Sequence, residues 1–466
     1  MSANVPSAEE FERPAKALVD SGTASTFADA KEMLGQGCPQ IVAGAEATQL
    51  LHQAALLTAV ETTARAFGHA VVHLSPGVAA TSCSVAGHHD ETIADAVRRA
   101  GGHMVDITDL AAETVPTIVI GTTSWVGRIT LQVTWDQWFA HVDVRGRRLP
   151  ERGNMILAAV AAAALAVTEC FKRVLGSLEA CHQNRSLNLW RPQADRDSGS
   201  VTLPNDVIGP NLRYLPSSWW LVGLGHLGQA YAWCLQFLPY MDPGTCQIVL
   251  QDFDKVSPAN RSTGMFVRAS DEGQLKTRVI AAAMERAGFD TRMIERRLLA
   301  ETRRHETEPS LALIGVDKVG PRRLISDVGW TFAVDVGLGA GPVDFTGISV
   351  HTFPAVTPSK DVPAWQEHES SRRAERAQEQ RAYRDARASG ADPCGLVRLA
   401  ETAVAAPFVG VVAACIAVAE PLRVLHGQTA NSHLAFDAGR ISSPKAHGGH
   451  KRPRIGFVPV ELIADL

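Results

Sequence analysis

The feature that most constrains this chain is a glycine-rich segment between an apolar strand and an apolar helix. The segment, residues 223–228, reads GLGHLG; it follows the apolar residues 219–222 and precedes a helix that we predict to reach about residue 238. Glycines at such a turn let backbone N–H groups approach a phosphate, and the N-terminus of the following helix favours negative charge. The arrangement predicts an α/β domain with a nucleotide-binding site.

Charged and polar residues follow at the ends of the next predicted elements. Asp252 comes directly after a predicted strand, where a carboxylate binds the ribose hydroxyls of NAD or ATP alike. Asn260 and Arg261 come next, Lys276 lies at the start of a predicted helix, and Asp317 follows the next strand. Fixed cations and a metal-binding acid suit a reaction in which charge builds up on phosphate oxygens. A dinucleotide-dependent oxidoreductase, one alternative for such a loop, gives them no role.

Taken in order, these elements resemble the ThiF/MoeB/HesA adenylyltransferases and the ubiquitin-activating enzymes over residues 219–427. The shared pattern is a glycine-rich loop, D-x-D-x-V, an S-N-x-x-R element, G-x-x-K and a strand that ends in Asp. The resemblance implies ATP and magnesium as cofactors. The cofactor-binding residues that it implies are Gly223, Gly225, Gly228, Asp252 for the ribose, Asn260, Arg261 and Lys276 for the phosphates, and Asp317 for the metal, with Arg261 also catalytic.

Two departures from the family pattern concern the phosphates and the metal. The family places the arginine two or more residues after the asparagine, whereas Arg261 follows Asn260 directly. Arg268 could therefore supply the charge instead. The position after the metal-binding Asp is often Asn in the family, and here it is Lys318.

Cys394 is the candidate catalytic nucleophile. It lies in the sequence DPCG, residues 392–395, and an Asp before a Pro is typical of the N-cap and first position of a helix. The thiol would then lie in the first helical turn, where the helix dipole lowers its pKa and favours the thiolate. Family members that form thioesters carry their cysteine on such a crossover segment, which we expect at 355–395. A purely structural thiol is the alternative.

A weak internal repeat indicates two similar domains. Residues 160–176 can be aligned with 411–427 over small apolar residues and one Glu. Either two Ala-rich buried helices look alike, or an α/β domain is duplicated and its second copy alone keeps the glycines. With the family resemblance, the second interpretation predicts an α/β fold class with two Rossmann-like, ThiF-type adenylation domains that form a pseudo-dimer. The inactive domain would span 1–190 and the active one 191–466.

The remaining regions carry weaker signals. Four prolines interrupt residues 182–217, which we expect to be a linker or a surface excursion. Residues 355–393 form a charged connection, and the tail 430–466 is polar with one expected strand at 454–458. The first 40 residues give no indication of chemistry.

Composition restricts the class of protein. The 466 residues carry a formal net charge of −4, which argues against a polycation that binds nucleic acid. The eight cysteines include no CxxC pair, so we expect neither a zinc site nor a disulfide framework. The apolar stretches are shorter than the roughly 20 residues that a bilayer requires, so no membrane partner is expected. The first residues lack the apolar core of a signal peptide, which favours the cytoplasm.

Together these inferences predict ATP-dependent activation of the C-terminus of a ubiquitin-like protein. An acyl adenylate would form first, Cys394 would take the acyl group as a thioester, and a conjugating enzyme would receive it. The resemblance implies the activating enzyme of a bacterial ubiquitin-like conjugation operon of the Bil type, with a role in antiviral defence; the chain could also form a homodimer. The alternative is an adenylyltransferase for a sulfur-carrier protein, which needs no thioester.

Overall fold

Two mixed β-sheets, with long helices packed between them, organise the chain. The computed structural model describes residues 12–88, 90–192, 204–365, 383–385, 403–440, 445–448 and 453–460. One sheet is built from the N-terminal part of the chain and the other from the C-terminal part, and a third, two-stranded sheet joins residues 214–216 to 457–459.

The N-terminal sheet has seven strands. They are β1 (Gln40–Ala43), β2 (Ala70–Leu74), β3 (Gly102–Met104), β4 (Thr117–Ile120), β5 (Thr130–Asp136), β6 (Phe139–Asp143) and β7 (Arg185–Asn188). Their order is β3-β2-β1-β4-β5-β6-β7; the first five positions are parallel, and β6 and β7 are added antiparallel. All residues of β1 and β4 are buried, as is typical of parallel strands that are covered on both faces.

The C-terminal sheet repeats this order and adds a strand. After β8 (Tyr214–Pro216), its strands are β9 (Ser218–Val222), β10 (Gln247–Gln251), β11 (Asp290–Ile294), β12 (Leu311–Ile314), β13 (Phe332–Leu338), β14 (Gly347–Phe353), β15 (Asn431–Asp437) and β16 (Lys445–Gly448). Their order is β11-β10-β9-β12-β13-β14-β15-β16, again parallel over five strands and then antiparallel. Strand β17 (Phe457–Pro459) pairs with β8. The parallel order is that of doubly wound nucleotide-binding sheets.

Twelve α-helices lie in the described ranges. They are α1 (Arg13–Asp20), α2 (Phe27–Gln36), α3 (Leu50–Phe67), α4 (Pro76–Ala79), α5 (Ile93–Arg99), α6 (Ile156–Val174), α7 (Asn205–Ile208), α8 (His226–Leu235), α9 (Lys276–Arg286), α10 (Val319–Arg323), α11 (Ile325–Val328) and α12 (Pro407–Leu425).

Helices α6 and α12 occupy the same place in the two domains. Each has 19 residues and connects the sixth strand of its sheet to the seventh. In the alignment predicted from sequence, the two helices coincide from end to end. Glu169 in α6 accepts a hydrogen bond from Arg185 of the following strand at 2.6 Å, and Glu420 in α12 accepts one from the side chain of Asn431 at 2.6 Å. The domains therefore share strand order, helix placement and one buried polar contact.

The interface between the domains is a continuous apolar core. Helix α12 packs against α6 of the N-terminal domain and against α8 of its own. By length and composition α12 could cross a membrane, contrary to our expectation from the shorter apolar stretches, but 89% of its apolar window is buried inside the protein. Its hydrophobicity is explained by the core that it forms.

Two regions are more ordered than the sequence indicated. Part of 182–217, expected as a linker, forms β7 and β8, because Leu187 and Leu215 are fully buried. The polar tail supplies β15, which pairs with β14 and buries Leu434 on an alternating pattern. Alternation over a few residues among polar neighbours is a weak signal, so these three strands were missed.

Part of the charged connection docks on α1. The side chain of Tyr383 is buried, and its hydroxyl donates to Asp20 at 2.9 Å and accepts from Lys16 at 2.9 Å. Lys16 and Asp20 also pair with each other. The charged connection therefore lies against the protein at residues 383–385, and its residues 366–382 and 386–393 fall outside the described ranges.

Candidate functional site

A cavity of about 800 Å³ opens at the carboxyl ends of β9, β10 and β12. In the sheet, β9 lies between β10 and β12, so the chain changes direction across the sheet at this point. Ligands of open α/β sheets bind at such a switch point. The structure brings most of the predicted site residues together in the cavity wall: Gly223, Gly225, Asp252, Asn260, Lys276 and Asp317.

Three glycines allow the turn, helix α8 and the end of β12 to touch. Gly223 has a φ of +81°, a left-handed conformation that favours glycine. A Cβ at Gly228 would lie 1.9 Å from the carbonyl oxygen of Gly223, and a Cβ at Gly315 would lie 3.0 Å from the backbone nitrogen of Gly228. Gly315 was not singled out from sequence. Gly225 is the N-cap of α8 without a side-chain cap, which leaves N–H groups of the first turn for an anion.

The carboxylate of Asp252 fastens the glycine-rich segment to the end of β10. One oxygen accepts a hydrogen bond from the N–H of Leu224 at 2.6 Å; the other accepts from the N–H groups of Phe253 and Asp254 at 2.7 and 2.8 Å. The oxygen that accepts from Leu224 can accept one further hydrogen bond, whereas the other already accepts two. Asp252 is therefore able to bind a ribose hydroxyl while it holds the turn in place.

A flat wall lies beside this carboxylate. Phe253 is 42% exposed and lines the cavity, and the guanidinium carbon of Arg297 lies 4.2 Å from the centre of its ring. The two side chains form a cation–π pair. An exposed aromatic ring in a cavity wall is typical of a binding surface. Neither residue was expected at the site from sequence, because neither belongs to the polar positions of the motif.

Lys276 and Asp317 both line the cavity but differ in burial. Lys276, the first residue of α9, is mostly buried and pairs with Asp254 at 3.2 Å. Asp317 is exposed after β12. In the described ranges no group of three or more His, Cys, Asp or Glu side chains forms a metal cage. A metal ion held here would therefore take Asp317 as its protein ligand and the remaining ligands from phosphate and water, as Mg²⁺ commonly does.

Asn260 reaches the cavity from a short 3₁₀ helix, Pro258–Ser262. Its side-chain oxygen accepts hydrogen bonds from the N–H and the hydroxyl of Ser257 at 2.9 and 3.2 Å, which caps this helix. The amide nitrogen is left to donate to a ligand.

The two arginines considered for the phosphates are both directed elsewhere. Arg261 is half exposed, pairs with Glu272 at 3.2 Å and does not line the cavity. Consecutive residues of a helix face different directions, so the turn that directs Asn260 inward directs Arg261 outward. Arg268 forms a two-pronged pair with Glu61 of the N-terminal domain at 2.7 and 3.1 Å. The structure thus does not place either side chain where the expectation put it.

Arg13 lines the cavity instead, although it comes from the N-terminal end of the chain. Its backbone N–H donates to the hydroxyl of Ser262 at 3.3 Å, and its Nε atom is buried with no partner among the residues described. Burial lowers the pKa of Arg13, and the charge of nearby Asp317 partly offsets this. Because Arg13 precedes the motif by more than 200 residues, local spacing could not reveal it.

His226 fills the space between the glycine-rich segment and α12. A Cβ at Gly410 of α12 would lie 2.3 Å from its Nε2 atom, which is buried without a partner among the described residues. Burial and the nearby Arg13 lower the pKa of His226 to about 4. The imidazole is therefore neutral at physiological pH and acts as a packing group.

A buried acid lies next to the cavity. Asp335 on β13 is fully buried, and within the described structure its oxygens have no hydrogen-bond partner. Arg322 is its ion-pair partner at 3.5 Å. Burial raises the pKa of Asp335 to about 6, against the opposing charge of Arg322. Arg322 also lines a second cavity of about 610 Å³, which adjoins the first.

The equivalent turn of the N-terminal domain holds a carboxylate. By strand register and position in the turn, Glu46 stands where Gly225 stands in the C-terminal domain. Glu46 accepts hydrogen bonds from the N–H and hydroxyl of Thr122 at 2.9 and 2.6 Å and from Arg148 at 2.6 Å. Burial alone would raise the pKa of Glu46, but these bonds outweigh it and hold the pKa at about 2.

Seven of the eight cysteines lie in the described ranges, and all seven are buried: Cys38, Cys83, Cys170, Cys181, Cys234, Cys246 and Cys415. Burial raises the thiol pKa of Cys38 and Cys246 to about 12. The eighth, the predicted nucleophile Cys394, lies outside the described residues, as does most of the expected crossover segment.

Comparisons with known proteins cover both domains. The model of the BilD N-terminal domain matches residues 40–189, and that of the BilD C-terminal domain matches residues 215–428. The bacterial E1-like protein BilD of Collimonas sp. (strain OK412) is 35% identical over 96% of this chain and 97% of its own length.

Similarity to solved structures is weaker. E. coli MccB with ATP is 13% identical, with a TM-score of 0.33 over 51% of this chain and 65% of its own. PaaA is 12% identical, with a TM-score of 0.34 over 50% of this chain and 64% of its own. This chain thus spans slightly less than two thirds of either solved chain. TM-scores of this size do not establish a shared fold.

The family assignment rests on the two domain matches and the end-to-end relative. The domain matches follow the two sheets, and the relative is similar over nearly the whole chain. The resemblance seen in the ordered motifs, to the activating enzyme of a Bil-type system, is confirmed. The chain belongs to the BilD family of bacterial E1-like proteins.

Proposed function

We propose that this protein activates the C-terminal carboxylate of a ubiquitin-like protein by adenylation with ATP. The observation that carries the proposal is the cavity in which the glycine-rich segment, Asp252, Lys276 and Asp317 meet at the switch point of the C-terminal sheet. The relative's description as E1-like is consistent with it. These residues suit a nucleoside triphosphate better than a dinucleotide, because the cations and the acid lie beyond the ribose position.

The cavity suggests where each part of the nucleotide would bind. The ribose would bind to Asp252, and the base would stack against the adjacent wall of Phe253 and Arg297. The phosphates would follow the first turn of α8 towards Lys276 and Arg13. The crowding around Gly228 supports this placement, because a side chain there would close the path that the phosphates need.

In the proposed first step, a carboxylate oxygen attacks the α-phosphorus, the bond from this phosphorus to the bridging oxygen breaks, and pyrophosphate leaves. Negative charge increases on the phosphate oxygens during this displacement. Lys276 and Arg13 are partly withdrawn from water, so their charges are weakly screened and stabilise that charge effectively. Magnesium held by Asp317 would neutralise part of the charge of the pyrophosphate.

In the proposed second step, the thiolate of Cys394 attacks the acyl carbon of the adenylate, a thioester forms and AMP leaves. The burial of the seven described cysteines supports this choice, since a catalytic thiol must be accessible and ionisable. A conjugating enzyme would then take the acyl group by thiol exchange. An enzyme of the sulfur-carrier type would stop after the first step.

We further propose that the N-terminal domain binds no nucleotide. Its equivalent turn holds the carboxylate of Glu46, which would repel a phosphate and already accepts the nearby donors. The active site would then belong to the C-terminal domain, completed by Arg13.

Exchange of labelled pyrophosphate into ATP, measured with the cognate ubiquitin-like protein, tests the adenylation step. Wild-type protein should catalyse the exchange, and Asp317→Ala should abolish it. Asp327→Ala, which removes an exposed acid on nearby α11 outside the cavity, is the matched control and should leave exchange unchanged. Tight binding of NAD without any ATP-dependent exchange would contradict the proposal.

Gel analysis of the adduct with the ubiquitin-like protein tests the thioester. Cys394→Ala should keep pyrophosphate exchange but lose the adduct that reductant cleaves. If this variant still forms such an adduct, another cysteine is the nucleophile. If the wild type forms none, the enzyme is of the sulfur-carrier type.

A further inference from the structure

A segment of the C-terminal domain that contributes to the cavity is held by a helix of the N-terminal domain. We call residues 257–268 the 257–268 loop. It supplies Ser257, Asn260 and Thr263 to the cavity wall, and its regular structure is limited to one short 3₁₀ helix. A loop with so little internal structure needs outside contacts to fix its path.

Arg65, in the last turn of α3, provides most of those contacts. Its Nη1 donates to the carbonyl oxygen of Arg261 at 2.6 Å, and its Nη2 donates to those of Met265 and Val267, both at 3.1 Å. Its Nε donates to Glu61 at 2.6 Å. Both side chains are almost completely buried. One guanidinium thus gathers three carbonyl groups of the same loop.

Glu61 holds this arrangement from both sides. It accepts hydrogen bonds from Arg65 on its own helix and from Arg268 at the end of the loop. The far side of the loop is held by Gln229 of α8, whose side-chain oxygen accepts from the N–H of Phe266 at 3.1 Å. Gln229 also donates to the carbonyl of Leu224 in the glycine-rich segment. The loop is therefore fixed between the N-terminal domain and the nucleotide turn.

We propose that Arg65 is a positioning residue for the nucleotide: it fixes the 257–268 loop so that Asn260 faces the cavity. The inference rests on the proposed function, because it assigns Asn260 to an ATP site. Arg65 touches neither the cavity nor a reacting group, so it acts through the loop. The N-terminal domain would then shape the site of its neighbour without a site of its own.

The geometry requires an arginine. Three carbonyl groups and one carboxylate lie in different directions around the same side chain, and the planar guanidinium offers five fixed N–H donors. A lysine would keep the charge and the pairing with Glu61, but one ammonium group cannot reach all three carbonyls. The loss of positional control should therefore appear even in the conservative variant.

Steady-state pyrophosphate exchange with Arg65→Ala and Arg65→Lys tests the proposal. We expect the KM for ATP to rise about ten- to hundredfold in the alanine variant, with a smaller change in kcat, since a displaced binding group weakens the site steeply. The lysine variant should lie between it and the wild type. Because the lysine variant also keeps the pairing with Glu61, it provides the measurement if the alanine variant fails to fold.

Thr58→Val is the matched control. Thr58 lies on the same helix and accepts a hydrogen bond from Trp233 of the C-terminal domain at 3.0 Å, but it does not contact the loop. We expect this variant to keep the wild-type KM. If it shows the same rise, a general weakening of the domain interface explains the effect and the proposal is wrong.

Hydrogen exchange of the free protein separates this proposal from the proposed function. Amides of residues 257–268 should exchange faster in Arg65→Ala than in the wild type or Thr58→Val, whether or not ATP is a substrate. Wild-type protein that fails to use ATP would refute the function. A folded Arg65→Ala protein with wild-type loop protection and wild-type KM would refute the positioning role.

Discussion

The two domains share a strand order but differ at the turn after their first strand. In the C-terminal domain this turn is rich in glycine and opens onto the cavity at the start of α8. In the N-terminal domain it keeps the first glycine, Gly44, whose Cβ would lie 1.9 Å from the carbonyl oxygen of Thr122. The next equivalent position, however, holds Glu46, which bonds to Thr122 and Arg148.

The comparison distinguishes a residue that the sheet requires in both domains from the residues that we propose a bound nucleotide requires. A glycine that lets two strand ends meet is kept in both turns, because backbone contact requires it in either case. The polar positions differ: by strand register, Ser75 stands where the other domain has Asp252, and Thr123 stands where it has Asp317. The N-terminal domain thus keeps the sheet but has other residue types at the positions that we propose bind the nucleotide. Four experiments can test this difference between the two turns.

Alanine substitution of one crowded glycine in each turn should have the largest effect. In Gly228→Ala the new Cβ would clash with the Gly223 carbonyl oxygen, so we expect ATP affinity to fall more than about hundredfold. Gly44→Ala should reduce the free energy of unfolding by about 1–3 kcal/mol but leave the KM for ATP of the folded protein unchanged. Calorimetry and exchange kinetics measure both. Loss of ATP binding in Gly44→Ala would contradict the separation of roles.

The next largest effect is expected in a comparison of Arg13→Ala with Arg261→Ala. Arg13 lines the cavity, so Arg13→Ala should raise the KM for ATP about tenfold through the loss of a charge-assisted hydrogen bond. Arg261 pairs with Glu272 outside the cavity, so Arg261→Ala should change the KM for ATP less than about threefold. Exchange kinetics over a range of ATP concentrations distinguish the two. The reverse order of effects would restore the sequence-based expectation for Arg261.

The number of nucleotides bound per chain tests the N-terminal domain directly. We expect isothermal titration with a non-hydrolysable ATP analogue to give one site per chain. Glu46→Gly should still give one, because Ser75 and Thr123 remain in place of the ribose and metal acids. A second site in the wild type would show that the N-terminal domain is active, and a second site in Glu46→Gly alone would show that this carboxylate is the sole barrier.

The two turns should also differ in how they affect stability in acid, and we expect this to be the smallest of the four effects. His226 has a folded pKa of about 4, below its ordinary value of about 6.5. Between pH 6.5 and pH 4 the unfolded chain therefore binds a proton at this histidine more readily than the folded protein does. The free energy of unfolding falls as the pH falls through this range. Between pH 7 and 5.5 the free energy of unfolding of His226→Gln should fall by about 1 kcal/mol less than that of the wild type, as measured by denaturant titration.

The N-terminal turn has Ala47 at the position of His226 and should not respond in that window. The pKa of Glu46, about 2, is below that of an unfolded glutamate. Its stabilising contribution is thus present above about pH 4.5 and is lost as pH falls through about 2. Glu46→Gln should differ from the wild type mainly at neutral pH and converge with it in acid. If His226→Gln and Glu46→Gln showed the same dependence of stability on pH, the predicted difference between the two turns would be wrong.

Local sequence was sufficient for the residues that follow one another along the nucleotide turn. The glycine-rich segment, Asp252, Lys276 and Asp317 each stand at the end of a strand or the start of a helix, and parallel strands bring such ends to one edge. The correspondence of α6 and α12 was anticipated from the alignment of 160–176 with 411–427, whereas the strand order was not predicted.

Contacts between the domains were beyond such reasoning. Arg13 and Arg65 lie far from the motif in sequence, and their contacts with the cavity and with the 257–268 loop follow from how the two domains pack. Arg261 shows another limit of sequence patterns: the residue type fits the motif, but the 3₁₀ helix that presents Asn260 turns its neighbour outward. Spacing identifies residue types, whereas side-chain direction depends on the backbone of a short irregular segment.

The buried group of Lys16, Asp20 and Tyr383 joins two parts of the chain that are far apart in sequence. Helix α1 carries Arg13 at its start and the first two of these residues further along, and Tyr383 belongs to the connection that precedes Cys394 in the sequence. One short helix therefore contacts both the cavity, through Arg13, and the connection, through Tyr383. A displacement of the connection at Tyr383 would thus be transmitted to the end of the helix that lines the cavity.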